Sequence, residues 1–190
     1  QKAGKIDNIS NNTHFGYLSG NSTTTGIKNV FIGEGAGENN TTGSNNAFFG
    51  FWSGHWNTSG NFNTGLGYFS LGGITSGINN VAIGNNALVS NTIGNSNTAV
   101  GAFALQNNTQ ANSNTALGYF TLHGNISGAF NTAVGESALE NNINGSKNVA
   151  LGYYAMKNTS VSYNNTAVGY TALYGNSTGD RNTVVGSNAM

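Results

Sequence analysis

The chain repeats itself every 17 residues without drift. The stretch Asn97-Thr98-Ala99-Val100-Gly101 is one copy of a degenerate motif whose asparagine recurs at Asn12, Asn29, Asn46, Asn63, Asn80, Asn97, Asn114, Asn131, Asn148, Asn165 and Asn182. A fixed short period means one structural unit stacked on itself, each unit burying its apolar face only against its neighbours. Composition agrees: 29 glycines, no proline or cysteine and 6% charged residues suit a repeat rather than an ordinary globule. A disordered Asn/Gly/Thr/Ser tract has no reason to keep its apolar residues in register, so disorder is rejected.

Counting the asparagine as position 1 of each coil, position 5 is glycine in all eleven copies, from Gly16 to Gly186. Either the backbone needs positive φ there or another backbone passes too close for a Cβ. Position 15 is glycine in most coils, with Ala111 and Ser162 as exceptions, and marks a second turn. Between the turns, positions 1–4 and about 6–10 are too short for helices and rich in β-branched and aromatic residues. They read as two strands per coil. The expected fold is all-β: a parallel β-solenoid or β-roll over residues 12–190, stacking to roughly 50 Å at the rise between paired strands. Residues 1–11 read as a lead-in or degenerate cap, with Ile6 and Ile9 as core candidates.

Side chains alternate along a strand, so positions 2 and 4 share one face and position 3 lies on the other. Position 4 is always apolar, and position 3 is too, except for His14. A strand apolar on both faces expects cover on both faces. One face fills the coil; the other calls for a second surface, most simply a neighbouring copy of the chain. A flattened single-chain roll is the alternative. Positions 3 and 9 are also reciprocal in size. Coils one to three pair His14, Phe31 and Phe48 with Gly20, Gly37 and Gly54, whereas coils four to ten pair Gly65 or alanine with leucine or Met156; the last coil, Val184 with Met190, breaks the rule. Close packing penalises voids and overfilling alike, so the two positions share one volume.

The invariant asparagine reads as a ladder, with amides about 4.8 Å apart, each donating to one neighbour and accepting from the other. Its task is structural.

With Asn80-Val81-Ala82-Ile83-Gly84-Asn85-Asn86-Ala87 in view, the repeat resembles the head repeats of trimeric autotransporter adhesins of the YadA type, whose coils carry Asn-Ser-Val-Ala-Ile-Gly followed by a small residue. Asn97 to Gly101 with Ala104, Asn131 to Gly135 with Ala138, and Asn165 to Gly169 with Ala172 are similar copies. Comparable repeats occur in phage tail-fibre-like proteins. The resemblance covers Asn12 to Met190 and implies a left-handed β-roll that trimerises about a central axis as a stiff, sticky extracellular surface. The bulky position 3 residues of the first three coils and the 17-residue period depart from it.

Six scattered basic residues and a formal charge of zero give no electrostatic footprint for nucleic acid. No run approaches the roughly 20 apolar residues of a membrane span, so this segment is not expected to insert into a membrane. Sparse charge and abundant Asn, Thr and Ser suit an extracellular or cell-surface location. His55 and His123 share position 10 but lie four coils apart, roughly 19 Å, and cannot share a metal within one chain. The pairs Glu34/Glu38 and Glu136/Glu140 can form only isolated surface sites, and a calcium site needs six or more oxygens. No enzyme, cofactor or metal site is expected.

Positions 6 and 7 carry many aromatics, including Tyr17, Phe51, Trp52, Tyr68, Phe69, Phe103, Tyr119, Phe120, Tyr153, Tyr154 and Tyr170. Adjacent strand residues cannot both face one side, so some are expected to be exposed or to pack between chains. Trp52, His55 and Trp56 form the densest cluster and the expected surface-contact patch, for a glycan or a protein surface. Position 13 holds a threonine column from Thr24 to Thr109, which admits ice binding as a rival. The sequence points first to a non-enzymatic adhesin or surface-fibre module, a homotrimer or filament, acting by multivalent contact. A purely structural extracellular filament comes second and an ice-binding solenoid third.

Overall fold

A computed structural model describes residues 5–7 and 10–190 of the chain. It is a single stack of coils around one sheet. After β1 (Lys5–Asp7) come β2 (Asn12–Phe15), β3 (Val30–Ile32) and further three-residue strands at each repeat, ending with β12 (Thr183–Val185). Strand order in the sheet follows sequence order, and β2 to β12 pair in parallel, in register, 17 residues apart, as in Ala82↔Ala99 and Ala99↔Ala116. Among the described residues the one antiparallel pairing belongs to the lead-in, where β1 folds back onto β2 with Ile6 opposite Thr13. This pairing covers the outer edge of β2. Ile9 and the side chain of Ile6, expected in the core, lie outside the described residues.

Each coil contains one strand rather than the two expected. Positions 6–10 form turns because positions 7 and 9 sit in the left-handed region in every complete coil, for example Phe103 (φ 60°) and Leu105 (φ 51°). Position 17 is left-handed as well, as at Lys28 (φ 60°) and Phe130 (φ 61°). For residues other than glycine this conformation costs roughly 1–2 kcal/mol apiece. It is held by hydrogen bonds between coils: Phe103 N–H donates to the Asn85 carbonyl at 2.9 Å and Leu105 N–H to the Thr121 carbonyl at 3.0 Å. The backbone ladder therefore continues past the strand and through the turns.

The core is a narrow column inside the coils. Position 3 points inward and is fully buried from Phe31 to Ala167, joined by position 8 alanines and by position 9 leucines such as Leu88 and Leu139. The reciprocal sizes occupy one volume as expected. A Cβ built on Gly37 would lie 2.8 Å from the ring of Phe31, and one on Gly54 would lie 2.6 Å from Phe48 Cγ. In these early coils the inward rings stack, His14 on Phe31 and Phe31 on Phe48, each pair with centroids 5.4 Å apart. Gly65 marks the change of pattern: a Cβ there would meet Ser53 Oγ at 2.5 Å and Phe48 Cδ1 at 3.2 Å.

Both reasons for the position 5 glycine hold at once. Gly84 has φ 130°, and its Cβ would fall 2.7 Å from the carbonyl of Gly101 one coil on. The chain bends here, carrying positions 6–10 round a corner from the strand.

Positions 2 and 4 face outward. Position 4 is exposed at Phe15 (58%), Leu66 (47%) and Leu117 (38%) and half-buried at Ile32, Val100 and Leu151, while position 2 is mostly threonine, so an apolar row runs partly exposed along the stack in the single chain.

Candidate functional site: the outer aromatic face

The asparagine ladder is present along the whole stack and does more than bond amide to amide. Asn97 Oδ1 accepts the backbone N–H of Asn114 at 3.0 Å, and Asn97 Nδ2 donates to Asn80 Oδ1 at 3.2 Å and to the Ala111 carbonyl at 2.8 Å. Each rung thus ties its own position 15 turn to the strand of the next coil. All eleven rungs, Asn12 through Asn182, lie in this column. They hold the scaffold and present nothing to a ligand: Asn29 to Asn165 are buried.

A second ladder escaped the sequence reading. Position 12 is Asn40, Asn57, Asn91, Asn108, Asn125 and Asn142, all fully buried. Asn125 Nδ2 donates to Asn108 Oδ1 at 2.8 Å and to the Gly128 carbonyl at 2.9 Å. The same carbonyl accepts Asn114 of the first ladder at 2.8 Å, so both columns converge on the position 15 turn. The sequence carried the signal, because asparagine fills position 12 in seven of ten coils. Where it is interrupted by Ile74 and Thr159, Asn57 Oδ1, Asn142 Oδ1 and Thr159 Oγ1 are left buried without a partner.

The aromatic residues of positions 6 and 7 share one outer surface, contrary to the expectation for adjacent strand residues. The left-handed residue at position 7 breaks the alternation and lays neighbouring rings against each other: Tyr153 on Tyr154 at 3.9 Å, Tyr119 against Phe120 at 4.5 Å and Phe51 on Trp52 at 5.0 Å between centroids. Rings also stack from coil to coil within one chain, as in Phe51 on Tyr68 at 5.5 Å with planes 4° apart.

The expected patch Trp52, His55 and Trp56 is brought together. Trp52 stacks on His55 at 5.0 Å, and Trp56 meets the His55 ring edge-on at 4.6 Å. The indole of Trp52 reaches over Gly35 of the preceding coil, filling the space a side chain would take there; a Cβ on Gly35 would lie 2.8 Å from its Nε1. His55 is buried between them, its Nδ1 facing the Gly35 carbonyl at 3.3 Å and Glu38 Oε2 at 3.5 Å. The tryptophans remain open to solvent, Trp52 at 39% and Trp56 at 52%. The patch therefore offers apolar ring surface fixed by a buried polar centre.

Two further clusters set rings beside half-buried polar groups. His123 packs on Phe120 at 4.6 Å and its Nε2 bonds Gln106 Oε1 at 2.8 Å. Burial lowers the His123 pKa from 6.5, against the charge of Glu140, which raises it. Beside Tyr153 and Tyr154, Lys157 Nζ bonds Glu140 Oε2 at 3.0 Å and sits 3.9 Å above the Tyr154 ring. Burial opposes the charge on Lys157, but Glu140 and Tyr154 outweigh it and its pKa rises. The Tyr153 hydroxyl is pushed up to about 12, first by its hydrogen bond with Tyr154 and then by burial.

No protein-family model, curated protein or solved structure matches the chain. Among the described residues no group of three or more His, Cys, Asp or Glu could hold a metal ion, and no helix is long and apolar enough to cross a membrane. The position 13 threonines use their hydroxyls internally: Thr41 Oγ1 donates to the Thr58 carbonyl at 2.9 Å and Thr58 Oγ1 to the Thr75 carbonyl at 3.0 Å. The column is regular, but each hydroxyl proton is already committed to the coil above.

Proposed function

We propose that this chain is a non-enzymatic adhesin or surface-fibre module, extracellular or on a cell surface, that acts through multivalent contact. The observation that carries this reading is the display of paired, half-exposed rings at the same coil positions along a rigid ladder. Nearly every other recurring side chain is consumed by the scaffold: asparagines by the ladders, glycines by the corners, leucines and alanines by the core. Weak contacts repeated on a stiff rod gain avidity without a deep pocket.

The same reading includes assembly with itself as a homotrimer. Its support is the apolar face of positions 2 and 4, partly exposed along the length of the stack, together with the resemblance to trimeric heads. Three copies meeting through that face would leave the aromatic corners, set off by the position 5 bend, on the outside.

The test is a screen of the assembled protein against immobilised glycans and extracellular-matrix proteins, run beside Trp52→Ala/Trp56→Ala. Binding that weakens in the variant is the expected result. Uniform lack of binding together with filaments seen by microscopy would replace the reading with a structural fibre. Thermal hysteresis with shaped ice crystals would replace it with ice binding.

A further inference from the structure

The aromatic face has a second period, three times the first. Non-aromatic residues occupy both positions 6 and 7 in the second, fifth, eighth and eleventh coils, at Glu34-Gly35, Asn85-Asn86, Glu136-Ser137 and Ser187-Asn188. Between these gaps the rings group into shelves two coils tall. Phe51 stacks on Tyr68 at 5.5 Å, Phe103 meets Phe120 at 5.0 Å, and Tyr153 stacks on Tyr170 at 5.2 Å. Equivalent points on successive shelves are three coils apart, about 14 Å along the axis. Core packing does not impose this, since position 3 is buried alanine in every coil from the fifth to the tenth, and the shelf coils six and ten carry the same alanine and leucine at positions 8 and 9 as the gap coils five and eight; Thr121 and Met156 are the exceptions.

From this spacing we propose that the face binds a neutral linear polysaccharide lying along the stack, with sugar rings stacked on each shelf; the inference rests on the surface-contact reading above. A regularly spaced row of rings fits a ligand that is itself a regular polymer. Flat, exposed rings suit the apolar face of a pyranose, while the gap coils supply hydroxyl partners in exposed Glu34, Asn85 and Glu136. Charge selects among polymers. The formal charges at positions 6–10 are Glu34, Glu38, Glu136, Glu140 and Lys157, and the lysine is paired with Glu140. Such a surface offers polyanions no unpaired cation and sets Glu34 and Glu136 against them, so nucleic acids and acidic polysaccharides are disfavoured although they too would stack. Each shelf is shallow and weak alone, and affinity comes from spanning several.

The test is affinity electrophoresis and calorimetry of the full chain with a linear neutral glucan and a linear neutral galactan, each as polymer and as a graded oligosaccharide series. At least one series is expected to bind, with affinity rising about tenfold or more once the oligosaccharide is long enough to bridge two shelves. Trp52→Ala/Trp56→Ala, Tyr119→Ala and Tyr153→Ala change exposed rings and are expected to lower polymer affinity at least tenfold when combined, with the circular dichroism spectrum unchanged. Tyr153→Phe keeps the ring and is expected to keep binding. Absence of binding to every neutral polymer, affinity independent of oligosaccharide length, or binding indifferent to the shelf variants would overturn the inference. If the protein adheres to matrix proteins through the shelves but to no neutral polysaccharide, this inference fails and the surface-contact reading stands. Adhesion to neither removes both.

Discussion

Exchanging the sizes of Phe48 and Gly54 probes the shared volume inside the coil. Phe48→Gly alone empties a fully buried site, and loss of a buried phenylalanine costs about 3–5 kcal/mol. Gly54→Leu alone drives a side chain into the Phe48 ring, since even its Cβ would come within 2.6 Å of Cγ; overpacking of this kind costs about 1–3 kcal/mol. It also places leucine at φ 59°, adding roughly 1–2 kcal/mol. The double variant copies the Gly65/Leu71 pair of the next coil, where the leucine fills the space and is fully buried. It keeps the backbone strain but has neither cavity nor clash. Cavity and clash together amount to about 4–8 kcal/mol, so the double-mutant cycle is expected to return a favourable coupling of about 4 kcal/mol or more, beyond the roughly 0.5–3 kcal/mol usual for residues in contact. Chemical denaturation of the four proteins, followed by far-ultraviolet circular dichroism, measures it. Additive losses would show that positions 3 and 9 do not compete for one volume.

Thr159→Asn is expected to stabilise the protein by about 1 kcal/mol in the same assay, because it restores the second ladder where Asn142 Oδ1 and Thr159 Oγ1 are unpartnered. Asn97→Asp sets a carboxylate against two acceptors, Asn80 Oδ1 and the Ala111 carbonyl. Its folded pKa must rise, so stability is held below the ordinary carboxylate pKa and lost as pH rises through it; the melting deficit relative to the parent is expected to shrink between pH 7 and pH 4, roughly spanning that titration. His123 titrates in the opposite sense. With its folded pKa below 6.5, the unfolded chain binds the proton more readily, so stability falls as pH drops through that value. Melting of the parent relative to His123→Gln is expected to fall modestly below about pH 6.5, the part-exposed ring limiting the effect.

Most of the fold was legible because the repeat makes each structural demand eleven times. Register, the core column, the corner glycine and the asparagine ladder each follow from one recurring residue type. What escaped was conformation at positions 7 and 9. Leucine and phenylalanine there suggest a strand, and nothing in Phe103 or Leu105 announces positive φ. The clue lay in Gly20, Gly35, Gly37 and Gly54, which occupy these positions in the first three coils and are all left-handed. Because the second strand was in fact a turn, the clustering of rings at positions 6 and 7 was also hidden. The patch at Trp52, His55 and Trp56 could be named from density alone, whereas the buried placement of His55 beside Glu38 needed the stacked coils. The second asparagine ladder was visible in the repeat but sat in a segment read only as a turn.

What covers the apolar face of positions 2 and 4 decides whether the chain assembles as a trimer. Sedimentation equilibrium of the parent at micromolar concentration, beside Leu117→Asp/Val134→Asp on that face, addresses it directly. Both residues are 38% exposed in the single chain, so the fold should survive the change. The expected result is a mass of three chains for the parent and one chain for the variant, with identical circular dichroism. A parent that remains a stable monomer would contradict the account.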